Sequence, residues 1–389
     1  MCGVLLLWTG LASGADPAVD RAAAALAAEL QELAQRSEIA GMAAVIATRD
    51  EILLQEVWGR RSTQERARID EDTRFRIASL SKGFSSTVAG MLVAEGAMAW
   101  DDRVIEDVEF FTLADPSHAP RATIEHILSH RVGLPHNAYD LLLEANWDPD
   151  NIVKRYEQVD PLCDVGTCYG YQNITYDLIT DIVDAHSEQD FEDEVSRRIF
   201  APLAMEKAGY GEAHLKQDDN YAHPHVKVSR TRIVPKRVAT HYYRLPASAG
   251  INLSATDLSA WLQAQLGAFP AALGDELRNE LWQPRVKTTR EMRYGWRRAR
   301  LDNAWYGLGW RIYDYEGHTV IYHAGAVEGY QAALAVFPEE GVGVALMWNS
   351  NSGKPFGAVP VFADALYGFR AQDWMKLDTG GGRTAAASD

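Results

Sequence analysis

The segment Phe75-Arg-Ile-Ala-Ser79-Leu-Ser-Lys82 runs into a helix-patterned stretch, Gly83 to Glu95, so Ser79 falls at or near a helix N-terminus. The free N–H groups and the dipole at that end favour negative charge developing on an oxygen. Lys82 follows three residues on, which on a helix puts its amine on the same face as the Ser79 hydroxyl. A serine hydroxyl is a weak nucleophile until a neighbour takes its proton, and a buried lysine is one group that does so. Taken alone, the pair also fits an N-capping serine followed by an exposed lysine.

Two further clusters carry chemistry of the same kind. Gly166-Thr-Cys-Tyr-Gly-Tyr171-Gln-Asn173 precedes a helix-like stretch, Ile174 to Ala185, and sets a phenol and an amide two apart on one loop. His323-Ala-Gly325-Ala326 ends a strand-like run. Its small residues let a substrate backbone approach closely and leave an N–H free to donate. Each cluster by itself also reads as ordinary turn or strand-end sequence.

The elements that must hold these residues follow from periodicity. Pro17 to Ser37 reads as a long amphipathic helix, and Met42–Ala47 with Glu51–Trp58 as a β-hairpin. Ser79 to about Ser254 is mainly helical in pattern, broken by Pro/Gly/Asn loops. After Leu301 the pattern returns to strands, in the four runs Gly309–Tyr313, Thr319–His323, Gln331–Phe337 and Val342–Trp348, closed by a helix from Ala358 to Phe369. The fold class expected is therefore α+β, an antiparallel sheet built from both termini and flanked by helices, with an inserted helical lobe. The division is 16–75 plus 285–370 for the α/β lobe, 76–284 for the helical lobe and 371–389 for a tail, with the functional cleft at the lobe boundary.

Composition bounds the partners. In 389 residues, 38 Lys+Arg face 54 Asp+Glu for a net charge of −16, which argues against a nucleic-acid surface. No stretch is apolar enough for a transmembrane helix. Val4 to Ala12 followed by Ser13-Gly14-Ala15 has the order of a secretory leader without its positive start, so residues 1–15 read as a signal peptide and the protein as exported. The alternative is an apolar N-terminus on a cytoplasmic protein. Removal of the leader takes Cys2 and leaves Cys163 and Cys168, five apart.

In their order and separation, the three clusters resemble those of the serine β-lactamase and penicillin-binding DD-peptidase superfamily, most closely its class C-like branch of β-lactamases, carboxypeptidases, D-aminopeptidases and β-lactamase-like esterases. Ile127-Leu-Ser-His130-Arg-Val-Gly-Leu-Pro135, Pro246-Ala-Ser-Ala-Gly250 and Tyr306-Gly-Leu-Gly-Trp310 share the likeness, which runs from about residue 40 to 350. The resemblance implies that Ser79 is the acylated nucleophile, that Lys82 holds or takes its proton, and that Tyr171 is base or relay. It further implies that Asn173 bonds the substrate amide or the lysine, and that the N–H groups of Ser79 and Ala326, beside Gly325, form an oxyanion hole. No metal and no cofactor are implied, and the partner is a small ester, amide or β-lactam.

The departures shift the expected substrate. His323 stands where class C β-lactamases carry lysine, and a neutral imidazole partners a substrate carboxylate less well than a fixed cation. This favours an esterase or peptidase, with a class C-type β-lactamase as the alternative and a slowly acylated penicillin-sensing module as a third. Val165 replaces the frequent proline, and a Cys163–Cys168 disulfide is expected to rigidify the turn instead. The basic run Arg285, Lys287, Arg290, Arg293, Arg297, Arg298, Arg300 reads as a solvated loop, or else as a rim for anionic substrates or a partner of the acidic surface. A zinc site on His126, His130, His223 and His225 is set aside because His126-Ile-Leu-Ser-His130 lacks the glutamate of a zinc-hydrolase helix. Trp147, Trp296 and Trp305 are available to line an apolar acyl pocket.

Overall fold

The computed structural model describes residues 16–229 and 232–377. The segment read as a leader, Cys2 and residues 378–389 lie outside the described residues. Helix α1 spans Pro17–Leu33; Asp16 caps it by accepting from the Ala18 N–H (2.8 Å), and Pro17 supplies a preset first turn. Its buried residues, Val19, Ala22, Leu26, Leu30 and Leu33, recur at three- and four-residue steps and form one stripe.

The main sheet has eight antiparallel strands: β1 Gly41–Thr48, β2 Ile52–Gly59, β3 Val286–Lys287, β4 Leu301–Tyr306, β5 Arg311–Tyr315, β6 His318–Val327, β7 Tyr330–Phe337 and β8 Val342–Trp348. Their spatial order is β2-β1-β8-β7-β6-β5-β4-β3, so the first hairpin docks against the last strand. In register, Met42 faces Trp348 and Thr48 faces Val342. β1 and β8 are buried on both faces, which is why they read as continuous apolar runs rather than alternating ones. The sequence pattern gave four late strands; β4 and β3 were hidden because Asp302-Asn303 and the basic run interrupt the apolar signal.

Alternate residues divide the core in two. Met42, Ala44, Ile46, Tyr322, Val344 and Leu346 face α1 and the closing helix, which spans Ala358–Tyr367 and packs on α1. Ala43, Val45, Ala47, Leu334, Ala345 and Met347 face the larger cluster that continues into the helical region. There Ser81–Ala94 forms α2, and Ala255–Gln265 forms α3, which lies against β1, β2 and β8 although it belongs to the insertion in chain order. Residues 371–377, grouped with the tail by sequence, pack along the first layer with Met375 and Leu377 buried. Among the described residues no helix is long and apolar enough to cross a membrane.

Candidate active site

Ser79 sits in a single tight turn, Ala78–Leu80, that feeds directly into α2. The turn is fixed from several sides. Phe75–Arg76 pairs with the strand Ile251–Leu253, the Ile77 N–H donates to Ile251 O (3.2 Å), and the Ile251 N–H donates to Ser81 Oγ (3.2 Å). Ala78 is held at φ 50°, a left-handed conformation that an alanine adopts only when its surroundings impose it. Gly325 lies directly opposite: a Cβ there would fall 1.9 Å from Ile77 O and 3.1 Å from Ser79 N. Only glycine lets β6 approach the serine turn this closely.

A cleft of about 270 Å³ is lined by Ser79, Tyr171, Asn173, Gly325 and Ala326, together with Asp140 and Arg311. Lys82, one turn beyond Ser79, is fully buried beside it, and its ammonium donates to Asn173 Oδ1 (2.8 Å) and Ser248 O (3.2 Å). The ammonium also lies 5.0 Å from the Tyr171 ring centre. Asn173 cannot turn over in this setting, because its Nδ2 donates to Asp140 Oδ2 (2.8 Å) while its oxygen faces the lysine. Ser248 Oγ donates to Asn173 O (2.7 Å), and the Ser248 N–H donates to Asp177 Oδ1 (2.9 Å). Burial raises the Asp140 carboxyl above the ordinary carboxylate range and raises Asp177 well above it.

The loop bearing Tyr171 is docked through its backbone. The Tyr171 N–H donates to His136 Nδ1 (3.0 Å), the Gln172 N–H to His130 Nδ1 (3.2 Å), and the Asn137 N–H to Tyr171 O (2.8 Å). Cys163 and Cys168 are joined as a disulfide at the start of this loop. His126 caps its own short helix by accepting from the Thr123 N–H, and His225 Nε2 accepts from the Thr63 N–H. These ring nitrogens serve as backbone acceptors, which accounts for their spacing in structural terms.

His323 is buried behind the cleft, and the side chain that reaches the cleft beside it is Arg311. Arg311 Nη1 donates to His323 Nε2 (3.2 Å), and its Cζ lies 5.3 Å from the Tyr171 ring centre. An arginine only donates, so Nε2 must be the lone-pair nitrogen; the proton is then on Nδ1, which donates to Ala324 O (2.9 Å). Burial, then the Arg311 and Lys82 charges, push the His323 pKa well below its usual value. Burial opposes the charge on Arg311 too, but Glu291 and the surrounding tyrosines outweigh it and hold the guanidinium firmly protonated. Glu291 lies 3.4 Å from both Arg311 and Arg297. The site therefore contains a fixed cation after all, contributed by a residue that motif spacing did not single out. Its only signal in the chain is a charge opening the otherwise apolar run Trp310-Arg311-Ile-Tyr313.

Three members of the basic run are paired within the chain. Arg285 meets Glu280 and Glu125, Arg297 meets Glu291, and Arg300 bridges Glu316 (2.7 Å) and buried Asp364 (2.9 Å). Of the three tryptophans, Trp296 is buried against Tyr313 and Tyr322, Trp147 stacks with Arg155, and Trp305 lies under Lys287.

Residues 26–368 match the family model described as Beta-lactamase. Penicillin-binding protein 4 of Amycolatopsis lactamdurans is 27% identical over 307 residues, covering 74% of this chain and 75% of the relative. Several other curated relatives are longer, and this chain spans only 54% to 65% of their length. The octameric penicillin-binding protein homologue from Pyrococcus abyssi superposes with a TM-score of 0.78 at 22% identity, over 89% of this chain and 77% of that one. EstCE1, a hydrolase with promiscuous acyltransferase activity, superposes with a TM-score of 0.75 at 17% identity, over 90% of this chain and all (100%) of that one. Sheet topology, the serine turn packed on a glycine of β6, and a family match across most of the chain lead to one assignment: the chain belongs to the beta-lactamase family, within the serine β-lactamase and penicillin-binding protein superfamily.

Proposed function

We propose that the protein is a serine hydrolase that cleaves an ester or amide through an acyl-enzyme on Ser79. The observation that carries this reading is the buried Lys82, one helical turn from Ser79, held by Asn173 Oδ1 and Ser248 O beneath a cleft that Ser79 and Tyr171 line. Two of the three ammonium donors are committed to those oxygens, and we assign the third to the Ser79 hydroxyl. The Lys82 ammonium then steadies the developing alkoxide as Ser79 attacks, while Tyr171 takes the hydroxyl proton and passes its own proton to the leaving group. The N–H groups of Ser79 and Ala326 receive the developing oxyanion, each worth roughly 3 kcal/mol in such a role. Water enters afterwards and releases the acyl group.

An esterase or peptidase remains the first reading. Arg311 supports a second, because its guanidinium lines the cleft and supplies the carboxylate partner that a neutral His323 lacks. A β-lactamase or a carboxypeptidase-like activity on carboxylate-bearing substrates uses the same residues. We also propose that the protein is exported, in keeping with the Cys163–Cys168 disulfide.

One experiment separates these readings. The protein is incubated with a chromogenic short-chain ester, a peptide ending in a free carboxylate and a fluorescent penicillin, with mass spectrometry of the chain. Ester turnover with a transient adduct on Ser79 is expected, and Ser79→Ala should lower kcat/KM by about 10⁴-fold or more. Fast penicillin turnover selects the β-lactamase reading, and a stable penicillin adduct without turnover selects a sensing role. Full activity in Ser79→Ala overturns the mechanism.

A further inference from the structure

We propose that an aromatic recess beside the cleft, behind Ala324 and Phe356, binds an apolar, preferably aromatic group of the substrate that acylates Ser79. The inference rests on the serine-hydrolase reading and adds to it the chemical class of one substrate group. The recess encloses about 620 Å³, and its walls include Tyr294, Trp296, Tyr322, Phe356 and Trp374. Tyr322 and Trp296 are buried and back it, whereas Tyr294 is 61% exposed and stands at its mouth. The Trp374 indole is fixed by its Nε1 donating to Asp364 Oδ2 (2.8 Å). Arg297, which borders the recess, is committed to Glu291 at 3.4 Å. Rigid aromatic walls of this kind favour a stacked ring or a branched aliphatic group over a polar one.

Two observations connect the recess to the reaction. Ala324 and Phe356 line both cavities. Strand β5 also stops short: its pairing with β6 ends at Arg311 opposite Tyr322, while β6 continues to Val327. The edge from His323 to Val327 on the β5 side is thus left open along the cleft. A substrate lying along that edge as an added strand would alternate its groups between the two faces of the sheet. One face is the Gly325 side, against Ile77 and Ser79; the other is the Ala324 side, where Tyr322 and Ala324 turn toward the layer that holds the recess. A group next to the scissile bond is directed there.

Gly353 offers a clean test. It borders the recess at φ −81°, a conformation open to any residue, and a Cβ there would meet no atom within 4 Å. Gly353→Trp therefore narrows the recess without straining the backbone or touching Ser79, Lys82 or Tyr171. Two ester series are compared, one varying the acyl group from acetyl to phenylacetyl, the other varying an aryl leaving group of matched acidity from one ring to two. In the unaltered protein, kcat/KM for the larger group should exceed that for the smaller by about tenfold or more in one series. Gly353→Trp should cut that preference at least about fivefold and leave the small acetate within about twofold. Tyr294→Ala should weaken the preference in the same direction. No preference in either series, or an equal fall for large and small esters, overturns the proposal. Full ester turnover by Ser79→Ala would instead sink the serine-hydrolase reading. Binding of the bulky ester to the inert Ser79→Ala protein, followed by calorimetry with and without Gly353→Trp, tests the recess without turnover; equal affinities overturn it.

Discussion

His323 and Arg311 meet in a contact that has only one workable protonation state. The guanidinium donates to His323 Nε2, so a proton on that nitrogen would set two donors against each other beside a second buried cation, Lys82. His130, buried against Tyr171 with its Nδ1 accepting from the Gln172 N–H, is likewise pushed well below its usual pKa, by burial first and then by Lys82 and Arg311. A histidine whose folded pKa lies below its unfolded value of 6.5 binds fewer protons when folded. Its stabilising contribution is therefore complete above about pH 6.5 and is lost as the pH falls below it, at up to about 1.4 kcal/mol per pH unit for each group. Urea unfolding at pH 7.5, 6.5 and 5.5 should show this acid loss, and His323→Gln should flatten it by about one proton's slope. An unchanged slope in the variant would mean that His323 takes up its proton as readily in the folded protein as in the unfolded chain. At this scale the sequence was informative where chemistry is local: Ser79 and Lys82 share one turn, and Tyr171 and Asn173 share one loop. Arg311 was not legible, because it reaches His323 only through the pairing of β5 with β6. Asp140 was missed for the same reason, since left-handed residues at Asn137 and Tyr139 turn the chain to bring it to Asn173.

Among the elements, the loop from Leu162 to Asn173 has the most to hold, since it carries both Tyr171 and Asn173. It is docked on residues 130–134 by backbone bonds: Leu162 N–H to Gly133 O (2.7 Å), Gly166 N–H to Arg131 O (2.7 Å) and Gly170 N–H to His130 O (2.9 Å). The Cys163–Cys168 disulfide closes its first turn, around Val165 and Gly166. Cross-linking so short a loop removes little freedom from the unfolded chain, about 2 kcal/mol by loop-closure entropy. Replacing both cysteines with alanine should cost about that much in urea unfolding and speed proteolytic cleavage within the loop. Ester turnover should fall less than tenfold, because the docking bonds to residues 130–134 persist. A variant as protease-resistant as the parent would show that those bonds alone hold the loop. The hairpin of β1 and β2 and the runs of β7 and β8 were legible because their apolar stretches are long and bounded by turns. Strand β4 was not, since its pairing with β5, Arg311 opposite Tyr306, sustains a strand that its own polar residues do not announce.

For the whole molecule, chain order and physical unit part company. By sequence the helical region is an insertion, yet α3 from that region packs on β1, β2 and β8, while Trp261 of α3 stacks on Phe84 of α2 at 3.7 Å. One hydrophobic cluster runs without interruption from Val45 and Met347 of the sheet through Leu258 and Trp261 to Phe84, Ile182 and Val195 of the helical region. Neither region can lose this shared core and keep its own, so both should unfold together despite a length at which separate domains are common. Far-ultraviolet circular dichroism, which weights the helices, and near-ultraviolet aromatic signals, to which tyrosines and tryptophans of both regions contribute, should give one coincident denaturant transition. Trp261→Ala removes the ring that joins the two regions at almost complete burial, 1% exposed, and should cost about 3–5 kcal/mol. Because that ring belongs to both regions, the variant should move both signals by the same amount. An early helical transition followed by a later sheet transition, in either protein, would show that the cleft between them joins two units free to move against each other.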